Sequence, residues 1–214
     1  MKRFTLFLIV LFLGFVQFCD AQYYFNYAFS FPGTTGNYAV TDPGTQLNIT
    51  GSFTVECWVN QAVNTGAQIV IQKRLGTGAT GYTMYLSTGK VAIRTNSSTR
   101  LTGATTIPLN TWTHIAATYN SSTNVFTIYV NGVADGTITT AGAAPAADTD
   151  SLRLAAGFNS PYAGLMDEVR ITNYEKTAEQ IQKGMYISID ANNEPSPASN
   201  TNISYRTRFI ICIN

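Results

Sequence analysis

The stretch from Trp112 to Gly136 constrains the fold most. Val125-Phe126-Thr127-Ile128-Tyr129-Val130 is β-branched or aromatic throughout, and its faces alternate. Phe126, Ile128 and Val130 point one way, Thr127 and Tyr129 the other. A period of two with this composition makes a half-buried strand, not a helix. Asn131-Gly132 follows, the pair a type I′ turn needs because both central residues take positive φ. Upstream, Trp112 to Tyr119 reads as a second strand, joined through the polar loop Asn120 to Asn124. Three consecutive antiparallel strands make a meander, the natural centre of an all-β sandwich.

The same alternation recurs along the chain. Phe53 to Val59 places Phe53, Val55, Cys57 and Val59 on one face and Thr54, Glu56 and Trp58 on the other. Gln68 to Lys73, Tyr82 to Leu86, Val91 to Thr95 and Ser151 to Ala156 read as short strands, with glycine-rich turns between several of them. Gly164 to Ile171 reads as the last strong one. Tyr27 to Phe31 and Asn37 to Val40 are expected to form a first strand pair, broken at Pro32-Gly33. Short strands at this spacing predict a sandwich or barrel. One helix is predicted, capped by Thr177, running to Lys183 and stopped at Gly184. From residue 190 the pattern dissolves into an Asn/Ser/Pro-rich tail, expected to be irregular.

The first 21 residues read as a secretory leader. Lys2 and Arg3 precede the apolar run Phe4 to Phe18, and Cys19-Asp20-Ala21 offers a small-residue cleavage site. A run of about 15 apolar residues falls short of the roughly 20 that a spanning helix needs. The expected organisation is a leader over 1–21, one β domain over 22–189 and an irregular tail over 190–214. Charged residues are 12% of the chain and the formal net charge is +1. A nearly neutral chain without a basic run argues against nucleic acid as partner, and nothing after the leader predicts membrane insertion. The expected address is secreted or cell surface.

Several single residues invite chemistry. Glu56 lies among apolar neighbours and needs a partner, since an unpaired buried carboxylate is costly. Arg170 can supply that partner if the early and late strands adjoin. Glu56 and Glu168 would be the acid and base of a glycosidase reading. His114, the only histidine, has no G-x-S-x-G motif beside it and reads as structural. Cys57 reads as a buried thiol, with a bridge to Cys212 as the alternative. Asn-x-Ser/Thr triplets occur at Asn48, Asn96, Asn120 and Asn202.

Four pieces in order carry a resemblance: Leu47 to Val59, Trp112 to Ala116, Phe126 to Gly132 and Gly164 to Ile171. The chain resembles the laminin-G-like, concanavalin A-like lectin/glucanase domains over about residues 26 to 187. That resemblance implies a jelly roll of two packed antiparallel sheets, with glycan or an extracellular protein bound at one rim. Many relatives hold a calcium there, which maps onto Asp42, Gly44 and Asp167; such an ion takes six to eight oxygens. Tyr38, Tyr82, Phe158 and Tyr162 lie near turns where rings can stack on sugar faces, and Asn159 joins them in the best candidate loop, Asn159-Ser160-Pro161-Tyr162. The glucanases of this architecture carry closely spaced carboxylates on one strand, as Glu-x-Asp-x-x-Glu. Asp167-Glu168-Val169-Arg170-Ile171 does not match, so a non-catalytic carbohydrate-binding or adhesion module is expected. The alternatives are a glycoside hydrolase or lyase of the same fold, or a structural domain split from a larger surface protein.

Overall fold

Alternating apolar strands bury their greasy faces only by pairing into sheets and stacking those sheets, and the computed structural model shows that arrangement. It describes residues 28–41, 47–74, 80–147, 149–156, 160–187 and the strand at 209–212. In chain order the first strands are β1 (Phe29–Pro32), β2 (Ala39–Val40), β3 (Phe53–Gln61) and β4 (Ala67–Lys73). Next come β5 (Tyr82–Ser87), β6 (Lys90–Thr95), β7 (Ser98–Thr106), β8 (Thr113–Asn120), β9 (Val125–Val130) and β10 (Val133–Thr139). The chain continues with β11 (Leu152–Leu154), β12 (Ala163–Thr172), helix α1 (Ala178–Gly184) and β13 (Phe209–Cys212).

One sheet has the order β1-β12-β3-β8-β9-β10, and the other β2-β11-β4-β5-β6-β7. The predicted meander is β8-β9-β10. At its second turn Asn131 and Gly132 take φ of 49° and 73°, and the Asn131 amide donates to the His114 carbonyl at 2.8 Å. Phe53, Val55, Cys57 and Val59 face inward with Ile115, Ala117, Phe126 and Ile128, all fully buried. They meet Met84, Leu86, Val91 and Ile93 from the other sheet in one continuous core. Aromatic stacking fills one end: Phe53 lies 5.3 Å from Tyr82 and 5.8 Å from Tyr119. Each such ring contributes about 1.5–3 kcal/mol through burial alone.

Two sequence expectations are corrected, and one strand was not foreseen. Residues 28–40 do not form a strand pair: β1 joins β12 in one sheet while β2 joins β11 in the other. The Pro32-Gly33 break is where the chain changes sheets. Gly33 has φ of 72°, and a β-carbon there would stand 2.6 Å from Ala163 Cβ. Strand β7 has no apolar alternation (STRLTGATT), so periodicity does not find it; it is held by pairing to β6. The tail is not wholly irregular, because Phe209–Cys212 pairs parallel to Val169–Thr172. It occupies the stretch of the β12 edge beyond β1, which pairs only with residues 163–166. Helix α1 forms where expected, with the Thr177–Gln180 capping box in place. Among the described residues no helix is long and apolar enough to cross a membrane.

Candidate functional site

The two sheets present two outer faces, and they differ. On the first sheet, the residues opposite the core side are Thr54, Glu56 and Trp58 of β3, His114 and Ala116 of β8, and Arg170 and Thr172 of β12. The chain after β12 folds back across them. Thr54 Oγ donates to the Tyr174 carbonyl and accepts the Lys176 amide, both at 2.9 Å. Ile181 of α1 is fully buried against Ala116 and Tyr129. Trp58 Nε1 donates to the Met185 carbonyl at 2.9 Å, and Arg170 donates to the Ile187 carbonyl. Residues 174–187 thus form a strap that seals this face.

Beneath the strap lies a buried ionic cluster. The register sets Arg170 directly opposite Glu56, as expected, but the charges pair differently. Lys176 of the strap pairs with Glu56, whereas Arg170 pairs with Glu168 at 3.2 Å. A bulge in β12 between Asp167 and Arg170, with Glu168 at φ of 51°, shifts the alternation. Met166 and Val169 therefore both face the core. His114 is fully buried, edge-on to Trp58 at 5.5 Å, with Nε2 3.7 Å from a Glu56 oxygen. Burial first, then the Arg170 and Lys176 charges, lower its pKa to about 3, so it is neutral. Neither Glu56 nor Glu168 is more than 1% exposed, and both carboxylates are engaged in ion pairs. The Cys57 thiol is free and faces the core; burial pushes its pKa up.

The outer face of the second sheet carries no such strap among the described residues. The strand register aligns one row across all six strands: Val40, Arg153, Gln72, Thr83, Arg94 and Thr99. A second row, Ile69, Tyr85, Ala92 and Thr102, runs beside it. The Arg94 guanidinium lies over the Tyr85 ring at 5.0 Å, and Arg153 over Tyr38 at 5.9 Å. Tyr85 Oη and Thr99 Oγ are hydrogen-bonded at 2.8 Å. The row offers amide, hydroxyl and guanidinium donors beside two rings, the chemistry that contacts a hydroxyl-rich ligand. Sequence reading did not single out this row, because only register brings residues 40, 72, 83, 94, 99 and 153 together.

The residues expected at a ligand rim have separate fates. Tyr38 is 47% exposed, at the edge of the row. Tyr82 and Tyr162 are core residues, 1% and 0% exposed. Their hydroxyls donate to the carbonyls of Leu47 and Leu165, so neither presents a ring face to solvent. Phe158 and Asn159 lie outside the described residues, as do Asp42 and Gly44. Asp167 sits opposite Trp58 and is 6% exposed, with Oδ1 accepting the Glu168 amide at 2.8 Å. Leu47, which follows the 42–46 segment, is tied to Tyr82 at the Phe53 end of β3. Among the described residues no three acidic, His or Cys side chains converge as a metal site.

Comparison with known proteins agrees with the fold. The sequence profile of the concanavalin A-like lectin/glucanases superfamily matches residues 32–182. The carbohydrate-binding module CBM40 of the Ruminococcus gnavus IT-sialidase, solved with α2,3-sialyllactose, superposes with a TM-score of 0.61 at 10% identity. That match covers 74% of this chain and 96% of the module. The heptameric SAP-like pentraxin of Limulus polyphemus gives 0.57 at 14% identity, over 72% of this chain and 78% of its own. Botulinum neurotoxin type C, whose cell entry depends on interaction with two ganglioside molecules, gives 0.55 at 12% identity. There the match covers 72% of this chain but 41% of the solved one. No curated protein matches.

Proposed function

The chain belongs to the concanavalin A-like lectin/glucanase superfamily, and from that premise we propose that it is an exported, non-catalytic carbohydrate-binding module. The observation that carries this reading is the contrast between the two outer faces. One is closed by its own chain, while the other has no strap among the described residues and carries a register-aligned row in which Arg153, Gln72, Arg94 and Thr99 remain partly or fully exposed, with Tyr38 at its edge. Solved proteins of the same architecture that bind sialyllactose or gangliosides support it. The buried, ion-paired state of Glu56 and Glu168 speaks against their use as glycosidase acid and base, which must reach the substrate. The leader over residues 1–21 supports export. Calcium at Asp42, Gly44 and Asp167 is a separate element of the proposal, with backbone and water oxygens completing a shell that Asp167 alone among the described residues cannot supply.

A glycan array tests the function. Binding to a defined glycan class, lost on Gln72→Ala without a change in thermal stability, is the expected result. Silence across a broad array would favour the structural or adhesive alternative, and release of reducing sugar would reinstate the enzyme.

A further inference from the structure

This inference rests on the carbohydrate-binding reading and names its ligand class. The two rows described above continue into a third, Ala67, Ser87, Lys90 and Thr106. Across all three rows there are three cations, Arg94, Arg153 and Lys90, and no carboxylate. Neither Arg94 nor Arg153 makes an ion pair among the described residues; each guanidinium rests on a tyrosine ring instead. Arg94 Nε and Thr83 Oγ, adjacent across β5 and β6, are buried polar atoms without a hydrogen-bond partner. Thr83 is 1% exposed and lies opposite the core side of β5. Orphaned donors of this kind are costly unless something completes them. The chain as a whole carries a formal charge of only +1, so this positive face is local and not part of a general cationic surface.

We infer that the outer face of β11-β4-β5-β6 binds an acidic oligosaccharide, whose carboxylate or sulfate groups pair with Arg94 and Arg153 while a sugar oxygen completes Thr83 Oγ. Arg153, Gln72, Thr83 and Arg94 stand on four adjacent strands, so the two guanidiniums are about 14 Å apart at their backbones. That is wider than one sugar ring, and the two cations therefore address different units of an extended chain. A planar guanidinium takes carboxylate or sulfate oxygens in pairs, and its seat on a tyrosine ring holds it ready.

The test is calorimetric titration of the full chain, as processed by its expression host, with alginate oligomers, dextran sulfate and unmodified dextran. Binding to alginate or dextran sulfate but not dextran is expected, and the two acidic arms tell carboxylate from sulfate. Arg94→Gln and Arg153→Gln each weaken that binding about tenfold, and Arg94→Lys restores part of the loss. Thr83→Val weakens it severalfold with no fall in the urea midpoint, since its hydroxyl has no partner inside the protein. Acidic polymers bound equally well by both glutamine variants would overturn the inference. Neutral glycans bound in preference to acidic ones would also overturn it and leave carbohydrate binding standing, whereas silence toward both classes would remove the two readings together.

Discussion

The Lys176 ammonium pairs with the Glu56 carboxylate across 120 residues of sequence. Glu56 stands in the middle of a sheet and is 1% exposed, and its counter-charge arrives only when the chain after β12 folds back over it. The strap is thus held by electrostatic necessity as well as by Ile181 and Met185. Removing one partner of a buried pair leaves a charge with neither water nor counter-ion. Lys176→Met should therefore lower unfolding free energy by about 3 kcal/mol, read from urea denaturation. Glu56→Gln combined with Lys176→Met should recover most of that loss, because an amide costs far less to bury than a carboxylate.

His114 predicts an acid sensitivity with a defined window. Its pKa is about 3 in the folded chain, because it is buried and shares its pocket with Arg170 and Lys176, against about 6.5 when unfolded. The unfolded chain therefore binds an extra proton between these values, and stability falls as pH drops from 6.5 toward 3. The expected slope is roughly 1 kcal/mol per pH unit. It is cleanest between pH 5 and 6.5, above the range of ordinary carboxylates. His114→Gln should flatten the urea midpoint across that window; an undiminished slope would assign it to other groups.

Two tyrosines expected to serve one purpose should separate cleanly. Tyr38→Ala removes an exposed ring beside Arg153 and should reduce glycan affinity, with stability unchanged within about 0.5 kcal/mol. Tyr82→Ala opens a cavity against Phe53 and should cost about 3–5 kcal/mol. Parallel melting and binding curves on the two variants check both.

For calcium, the expected outcome is a higher melting temperature in millimolar calcium than in chelator, by the linkage between binding and folding. Asp167→Asn should abolish that difference. Identical melting curves in the two buffers would remove the metal from the proposal.

Strand identity was legible wherever an apolar face alternates, since burial in a two-layer sandwich requires that period. The β8-β9-β10 meander, β3 and the Thr177-capped helix followed from residues alone, whereas Glu56 opposite Arg170 depended on the early and late strands adjoining. Strand β7 was not legible, because its polar sequence earns its place by pairing and not by burial. Tyr82 and Tyr162 read as rim aromatics from their neighbouring glycines and proline, yet alternation within β5 turns Tyr82 inward. The bulge at Glu168 was not legible either: it turns both Met166 and Val169 into the core and sets Glu168 against Arg170.

The sequence by itself determined that this chain forms antiparallel strands with one buried face each, because side-chain period is a local property of the backbone. Only the tertiary structure decided which outer face the strap closes. That choice depends on where a strap 120 residues from Glu56 comes to rest, and on a register that draws Arg153, Gln72, Thr83 and Arg94 from four separate strands into one line. Long-range contacts of that kind leave no trace in local periodicity.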